Sequence, residues 1–226
     1  MIKKIILLMA LSFGVFSCVN LCAAQEPIEV ISYNVNPVGT CEYQDFGPIE
    51  YRGAKANLSI FKTNVAGFKD KEVIFSDIKT GLPIVVERDI SILLHKENIT
   101  EEYFPEENSA RLTKFEGGKK TQEFTLKGKA PIQSAILVPF SLRNVPELKI
   151  GSTFDIVLPA EFRVKLTSIE EITVPAGKFK VYHFTSTPPK FEIWISADDL
   201  RLPVKIKGLG AFPYALEMKK RVSKQR

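Results

Sequence analysis

The feature that most constrains this chain is an alternation of apolar and polar residues, with a period of two, that recurs along its length. Ala56, Leu58 and Ile60 alternate with Lys55, Asn57 and Ser59. Phe162, Val164 and Leu166 alternate with Arg163, Lys165 and Thr167, and Tyr214, Leu216 and Met218 with Ala215, Glu217 and Lys219. Successive side chains of a strand point to opposite faces, so this period describes antiparallel strands with one face packed and one wet. Gly117-Gly118 and Pro175-Ala176-Gly177 sit between such segments and predict hairpins, while Pro188-Pro189 separates Thr185–Thr187 from Phe191–Ile195. One pattern occurs twice. Val73-Ile74-Phe75-Ser76-Asp77 leads to Leu82-Pro83, and Ile193-Trp194-Ile195-Ser196-Ala197-Asp198 leads to Leu202-Pro203. Asp bonds its own downstream backbone in turns and Pro is tolerated at the first residue of a strand, so one hairpin geometry is predicted at both places.

Only residues 132–144 break the alternation. Ile132, Ala135, Ile136 and Leu137, then Phe140, Leu142 and Arg143, suit a short helix interrupted by Pro139, placed here as a cap on an open end of the sheet. No Gly/Ser linker divides the chain. The reading is an all-β single domain with at most one or two short helices, folded as a strongly curved antiparallel sheet or open β-barrel. Its 45% hydrophobic and 25% charged residues are a globular balance.

Lys3 and Lys4, the apolar run Ile5–Phe16 and the small residues Cys22-Ala23-Ala24 form a secretory signal over residues 1–24. Cleavage after Ala24 leaves a β-rich domain at 25–218 and a basic C-terminal tail at 219–226, and places the protein in the bacterial periplasm or cell envelope. Lipid anchoring at Cys18 and a retained membrane anchor are the alternatives. After cleavage Cys41 is the only cysteine, so no internal disulfide forms and a buried apolar role is expected for it.

The 31 basic and 26 acidic residues are interspersed, which weighs against nucleic acid as a partner. The one basic cluster is Lys219, Lys220, Arg221, Lys224 and Arg226, read as a solvated tail able to touch an anionic membrane. Catalytic motifs are missing: there is no Gly-x-Ser-x-Gly, no P-loop, no Gly-x-Gly-x-x-Gly and no Cys-x-x-Cys. The two histidines, His95 and His183, are too few for a His-rich metal site, and Asp198-Asp199 fits a turn better than a calcium loop. No catalytic residue, metal or cofactor is assigned, and the sequence leans away from an enzyme.

Three residues stand out as ligand-binding candidates. Arg88 alternates onto the face of Val86, either as a strand-end cation reaching for solvent or as a polar anchor in a pocket. Arg143 ends the non-alternating stretch. Trp194, the only tryptophan, is a stacking platform if its face is open and a core residue if both faces are covered.

The order Leu148-Lys149-Ile150-Gly151-Ser152-Thr153-Phe154, Val174-Pro175-Ala176-Gly177-Lys178-Phe179, Ile193-Trp194-Ile195-Ser196-Ala197-Asp198 and Leu200-Arg201-Leu202-Pro203-Val204 resembles a family of exported bacterial proteins, domain of unknown function 3108. Tyr33–Gly39 and Gly81–Arg88 fit it too, so the resemblance spans most of residues 28–218. It implies a fold and carries over no catalytic residues. The Trp-Ile-Ser-x-Asp-Asp turn before Leu-Pro also resembles a hairpin of periplasmic lipoprotein carriers, which are open β-barrels around an apolar cavity. The function expected is non-enzymatic binding of an apolar ligand (a lipid, acyl chain or hydrophobic peptide) in a curved β-sheet groove. The alternatives are a structural or assembly factor that binds envelope protein partners through a sheet edge, and a hydrolase with an unrecognised carboxylate site.

Overall fold

The computed structural model describes residues 25–211 and 213–224; the signal segment, Cys18 and the end of the basic tail lie outside them. The described residues form one sheet of fourteen antiparallel strands. These are β1 (Glu29–Asn36), β2 (Thr40–Tyr51), β3 (Ala54–Val65), β4 (Phe68–Asp77), β5 (Pro83–Ile92), β6 (His95–Phe104), β7 (Ser109–Glu116), β8 (Lys119–Lys127), β9 (Thr153–Val157), β10 (Glu161–Val174), β11 (Gly177–Thr187), β12 (Phe191–Ser196), β13 (Pro203–Gly208) and β14 (Tyr214–Ser223). Each pairs with its neighbour in sequence except β8 with β9, and β14 pairs with β1. The free edges are therefore β8 and β9, in the middle of the chain.

The segment joining those edges decides the shape. It carries α1 (Val138–Ser141) and a following 3-10 turn at Leu142–Asn144. Pro139 lies in the first helical turn, where its missing N–H breaks no bond, so it starts the helix rather than interrupting it. Phe140 stacks on Tyr43 of β2, ring centroids 3.6 Å apart. Leu137 packs with Ile74 of β4 and Val86 of β5. Val138 and Leu142 pack with Val164, Leu166, Phe184, Ile193 and Ile195 of β10–β12. One short segment reaches strands far apart in the sheet only if the sheet curls around it. The expected cap on an open end is thus a plug on the inner face.

Curling also brings the edges together. The Gln133 N–H donates to the Val157 carbonyl at 2.7 Å, and Ile132 makes a single parallel bridge to Val157 of β9. Ala110, Leu112 and Leu126 of β7 and β8 pack against the same pair. Apolar contacts, not a hydrogen-bonded ladder, close the seam, so the barrel is open in the sense that its ladder does not complete the circle.

The repeated sequence pattern is one hairpin built twice. Asp77 Oδ1 accepts from the N–H groups of Lys79 and Thr80, and Asp198 Oδ1 from those of Leu200 and Arg201. In both, the register shifts by one just before the paired proline: Ser76 opposite Pro83, and Ile195 opposite Pro203. The C-terminus needs a correction. β14 runs to Ser223, beyond the expected domain end at 218, because Ser223, Val222 and Arg221 pair with Glu29, Val30 and Ile31. Most of the expected tail is strand.

Replacing a plug residue removes packing from several strands at once. Phe140→Ala is expected to cost about 3–5 kcal/mol in urea unfolding, as for other buried Phe truncations. Phe124→Ala, on the exposed edge strand β8, is expected to stay within about 0.5 kcal/mol of the parent.

Candidate functional site

A cleft of about 1070 Å³ opens at the end of the barrel where β1 starts and β14 stops. Its rim is the β4–β5 turn (Ile78–Gly81), the bend of β2 at Gly47-Pro48 and the β12–β13 turn at Asp199-Leu200. Tyr43, Asn57, Ser59 and Ser76 project into it from β2–β4, and Leu137, Phe140, Ser141 and Arg143 from the plug. Apolar and polar groups therefore share the walls.

Glu29, at the start of β1, lies beside this cleft and is buried. Arg143 grips it through two nitrogens, Nη1 to Oε2 at 2.6 Å and Nη2 to Oε1 at 3.3 Å. Arg221 of β14 donates Nε to Oε1 at 2.7 Å. Burial pushes the Glu29 carboxyl up, but the two guanidinium groups outweigh it and hold the group below its usual range. Arg201 anchors the chain that bears Arg143: its guanidinium donates to the carbonyls of Val145 and Pro146, the latter at 3.0 Å. Asp45, also on the wall, accepts from the Gly47 N–H at 2.8 Å.

Arg88 stands in a second cluster, on β5. It pairs with the buried Asp70 and lies 3.9 Å from Glu72 and 3.8 Å from Glu101. The Tyr103 hydroxyl donates to Glu101 at 2.5 Å. Three carboxylates face one guanidinium here, the reverse of the Glu29 site. Burial, only partly offset by Arg88 and reinforced by Asp70 and Glu101, pushes the Glu72 carboxyl up to about 7. Asp70 Oδ1 and Arg88 Nε have no hydrogen-bond partner.

Trp194 is 7% exposed. Its ring stacks on His183 at 4.3 Å, its Nε1 donates to Glu170 at 2.7 Å, and Lys205 Nζ lies 5.6 Å from the ring centroid. Of the three residues singled out in the sequence, only Arg143 lines the cleft; Arg88 and Trp194 lie in separate clusters. Sequence reading missed Glu29, Arg201 and Arg221. Arg221 belongs to the basic cluster that the sequence predicts as a tail, and the pairing of β1 with β14 is what carries it to Glu29.

Cys41 is buried, as expected, and burial raises its thiol; its Sγ lies 3.5 Å from Thr63 Oγ1. His95, Glu97 and Glu116 bring one ligand atom each within 4.8 Å of the others. The Lys114 ammonium sits 2.5 Å from Glu97 and 3.9 Å from Glu116, so these carboxylates already have a cationic partner.

Glu29→Gln leaves two guanidinium groups without their shared carboxylate, and is expected to destabilise the fold by about 3 kcal/mol in urea titration at neutral pH. Glu72 has the opposite sign. Its folded pKa of about 7 lies above the ordinary value of 4.5, so the native state binds more protons than the unfolded state between these limits. The stability this contributes is full below pH 4.5 and is lost as pH rises through about 7. Glu72→Gln is expected to raise the thermal midpoint at pH 8 relative to the parent and to flatten its decline from pH 5 to pH 8. An unchanged slope in that scan would place the titration elsewhere.

Comparison with known proteins agrees with this architecture. The chain is similar in structure to a β-barrel-like protein of domain of unknown function DUF1849 from Brucella abortus, with a TM-score of 0.55 and 10% identity over 89% of this chain and 99% of that one. That likeness concerns the fold alone. No curated protein matches the chain. The model of one family, Protein of unknown function (DUF3108), matches residues 54–212. That match takes in β3 to β13 and the whole plug, and the chain belongs to this family.

Proposed function

We propose that this is a non-enzymatic binding protein of the bacterial envelope, and that it holds an amphipathic ligand of lipid or acyl-chain type in the cleft at the barrel end. One observation carries the reading: the cleft sets an apolar wall beside two guanidinium groups that share a single carboxylate. Leu137 and Phe140 of the plug, with Ile28 and Leu200, supply the apolar surface. Arg143 and Arg221, both on Glu29, supply cationic groups partly open to the cleft, with side chains 22% and 25% exposed. Two arginines for one glutamate leave capacity for a further acceptor, such as the carboxylate or phosphate of a ligand head. The plug fills the middle of the barrel, which favours binding at its end. The volume is of the order of a typical small-molecule site, about 300–1,000 Å³.

A sheet-edge partner is the second reading. β8 is a free edge, and almost all of its residues are exposed. Lys119, Lys120 and Lys127 along it are the charges by which edge strands discourage pairing, so this reading ranks lower.

Native mass spectrometry of the protein purified gently from bacterial envelopes tests the proposal. The expected result is a discrete added mass that organic solvent removes and lipid analysis identifies, reduced in Arg143→Met. A bare polypeptide mass, with no uptake from offered envelope lipids, would overturn it.

A further inference from the structure

The barrel end opposite the cleft carries a different surface. β5 and β6 are joined by a two-residue turn, Leu93-Leu94, closed by the pair Ile92–His95. A two-residue hairpin turn needs positive φ at its first central residue, which glycine supplies without strain. Here Leu93 has φ of 56°, a conformation disfavoured for a branched apolar residue. Leu93 is also 80% exposed and Leu94 100% exposed. Neither backbone preference nor burial accounts for two leucines at this tip.

The neighbouring turns extend the patch. The Leu93 N–H donates to the Gly67 carbonyl in the β3–β4 turn at 2.9 Å. Gly39 of the β1–β2 turn packs directly against Val65, and the adjoining Val38 is 58% exposed. Behind the leucines, Ser91 pairs with Lys69 on one side and Lys96 on the other, so two exposed ammonium groups flank the tip. Among the described residues, neither lysine forms an ion pair. A protruding apolar tip backed by unpaired cations is the arrangement by which surface segments enter a bilayer interface, aliphatic groups among the acyl chains and lysines at the headgroups. A convex tip of this kind offers little concave surface for a protein partner.

We propose that this end of the barrel contacts a membrane, the Leu93-Leu94 turn entering the interface of an anionic bilayer while Lys69 and Lys96 meet its headgroups. This surface is independent of the ligand cleft and of the basic C-terminus. The test uses the protein expected after cleavage at Ala24, residues 25–226, which carries all the described strands and the plug. Flotation with phosphatidylglycerol vesicles is compared for the parent and the double variant Leu93→Gly, Leu94→Asn. That variant puts glycine at the position of positive φ, so its thermal midpoint is expected to hold or rise. The parent is expected to float with the vesicles, less so in high salt, and the variant to bind at least about tenfold more weakly. Equal flotation of a folded variant, or no flotation of the parent, would overturn the proposal. Self-association of the parent that the variant loses, without vesicle binding, would instead assign the turn to a second copy of the chain.

Discussion

The packing of the 132–145 segment against the inner face is the contact on which the rest of the structure depends. A sheet of fourteen strands curled on itself encloses more space than strand side chains alone fill. Phe140 on Tyr43, Leu137 against Ile74 and Val86, and Val138 with Leu142 against β10–β12 occupy that space from one stretch of chain. The same stretch bridges to β9 at Val157, so it also holds the two free edges near one another. Removing volume from it loosens both core and seam. Filling the middle of the barrel also moves the accessible cavity to one end, where the plug becomes a wall of the cleft.

Electrostatics divides the inner face into two sites of opposite balance. At Glu29 two arginines share one carboxylate, which stays ionised despite burial. At Arg88 three carboxylates share one arginine, and Glu72 takes up a proton more readily than a free glutamate. Burial raises the cost of charge in both places, and the ratio of partners decides the sign of each shift. The first site has unspent donor capacity toward the cleft. The second joins β4, β5 and β6 through an interaction whose strength depends on pH.

Local features of this fold were legible in the sequence because local physics sets them. Alternation marked Val164 and Leu166 as buried between exposed neighbours, and Gly117-Gly118 and Pro175-Ala176-Gly177 are the hairpin turns of β7–β8 and β10–β11. The twin Asp…Leu-Pro hairpins were visible because Asp and Pro act within a few residues. The site was hidden because it is assembled across the chain: Glu29 meets Arg143, 114 residues away, and Arg221, 192 residues away. Lys219–Arg221 looked like tail because charge alone does not report that β1 lacks a partner on one side. Trp194 was ambiguous by alternation. Its burial comes from His183 and Glu170 on other strands, which no single-strand pattern encodes.

Hydrogen–deuterium exchange with and without a long-chain fatty acid distinguishes the proposed ligand seat at the end of the plugged barrel from entry into its middle. Binding at the barrel end is expected to slow exchange in residues 137–144 and in the β4–β5 turn at 78–81 and to leave the middle of β10–β12 unchanged. Protection appearing instead along the centres of β10–β12, with the plug exchanging faster, would mean that the ligand displaces the plug, and would overturn binding at the barrel end.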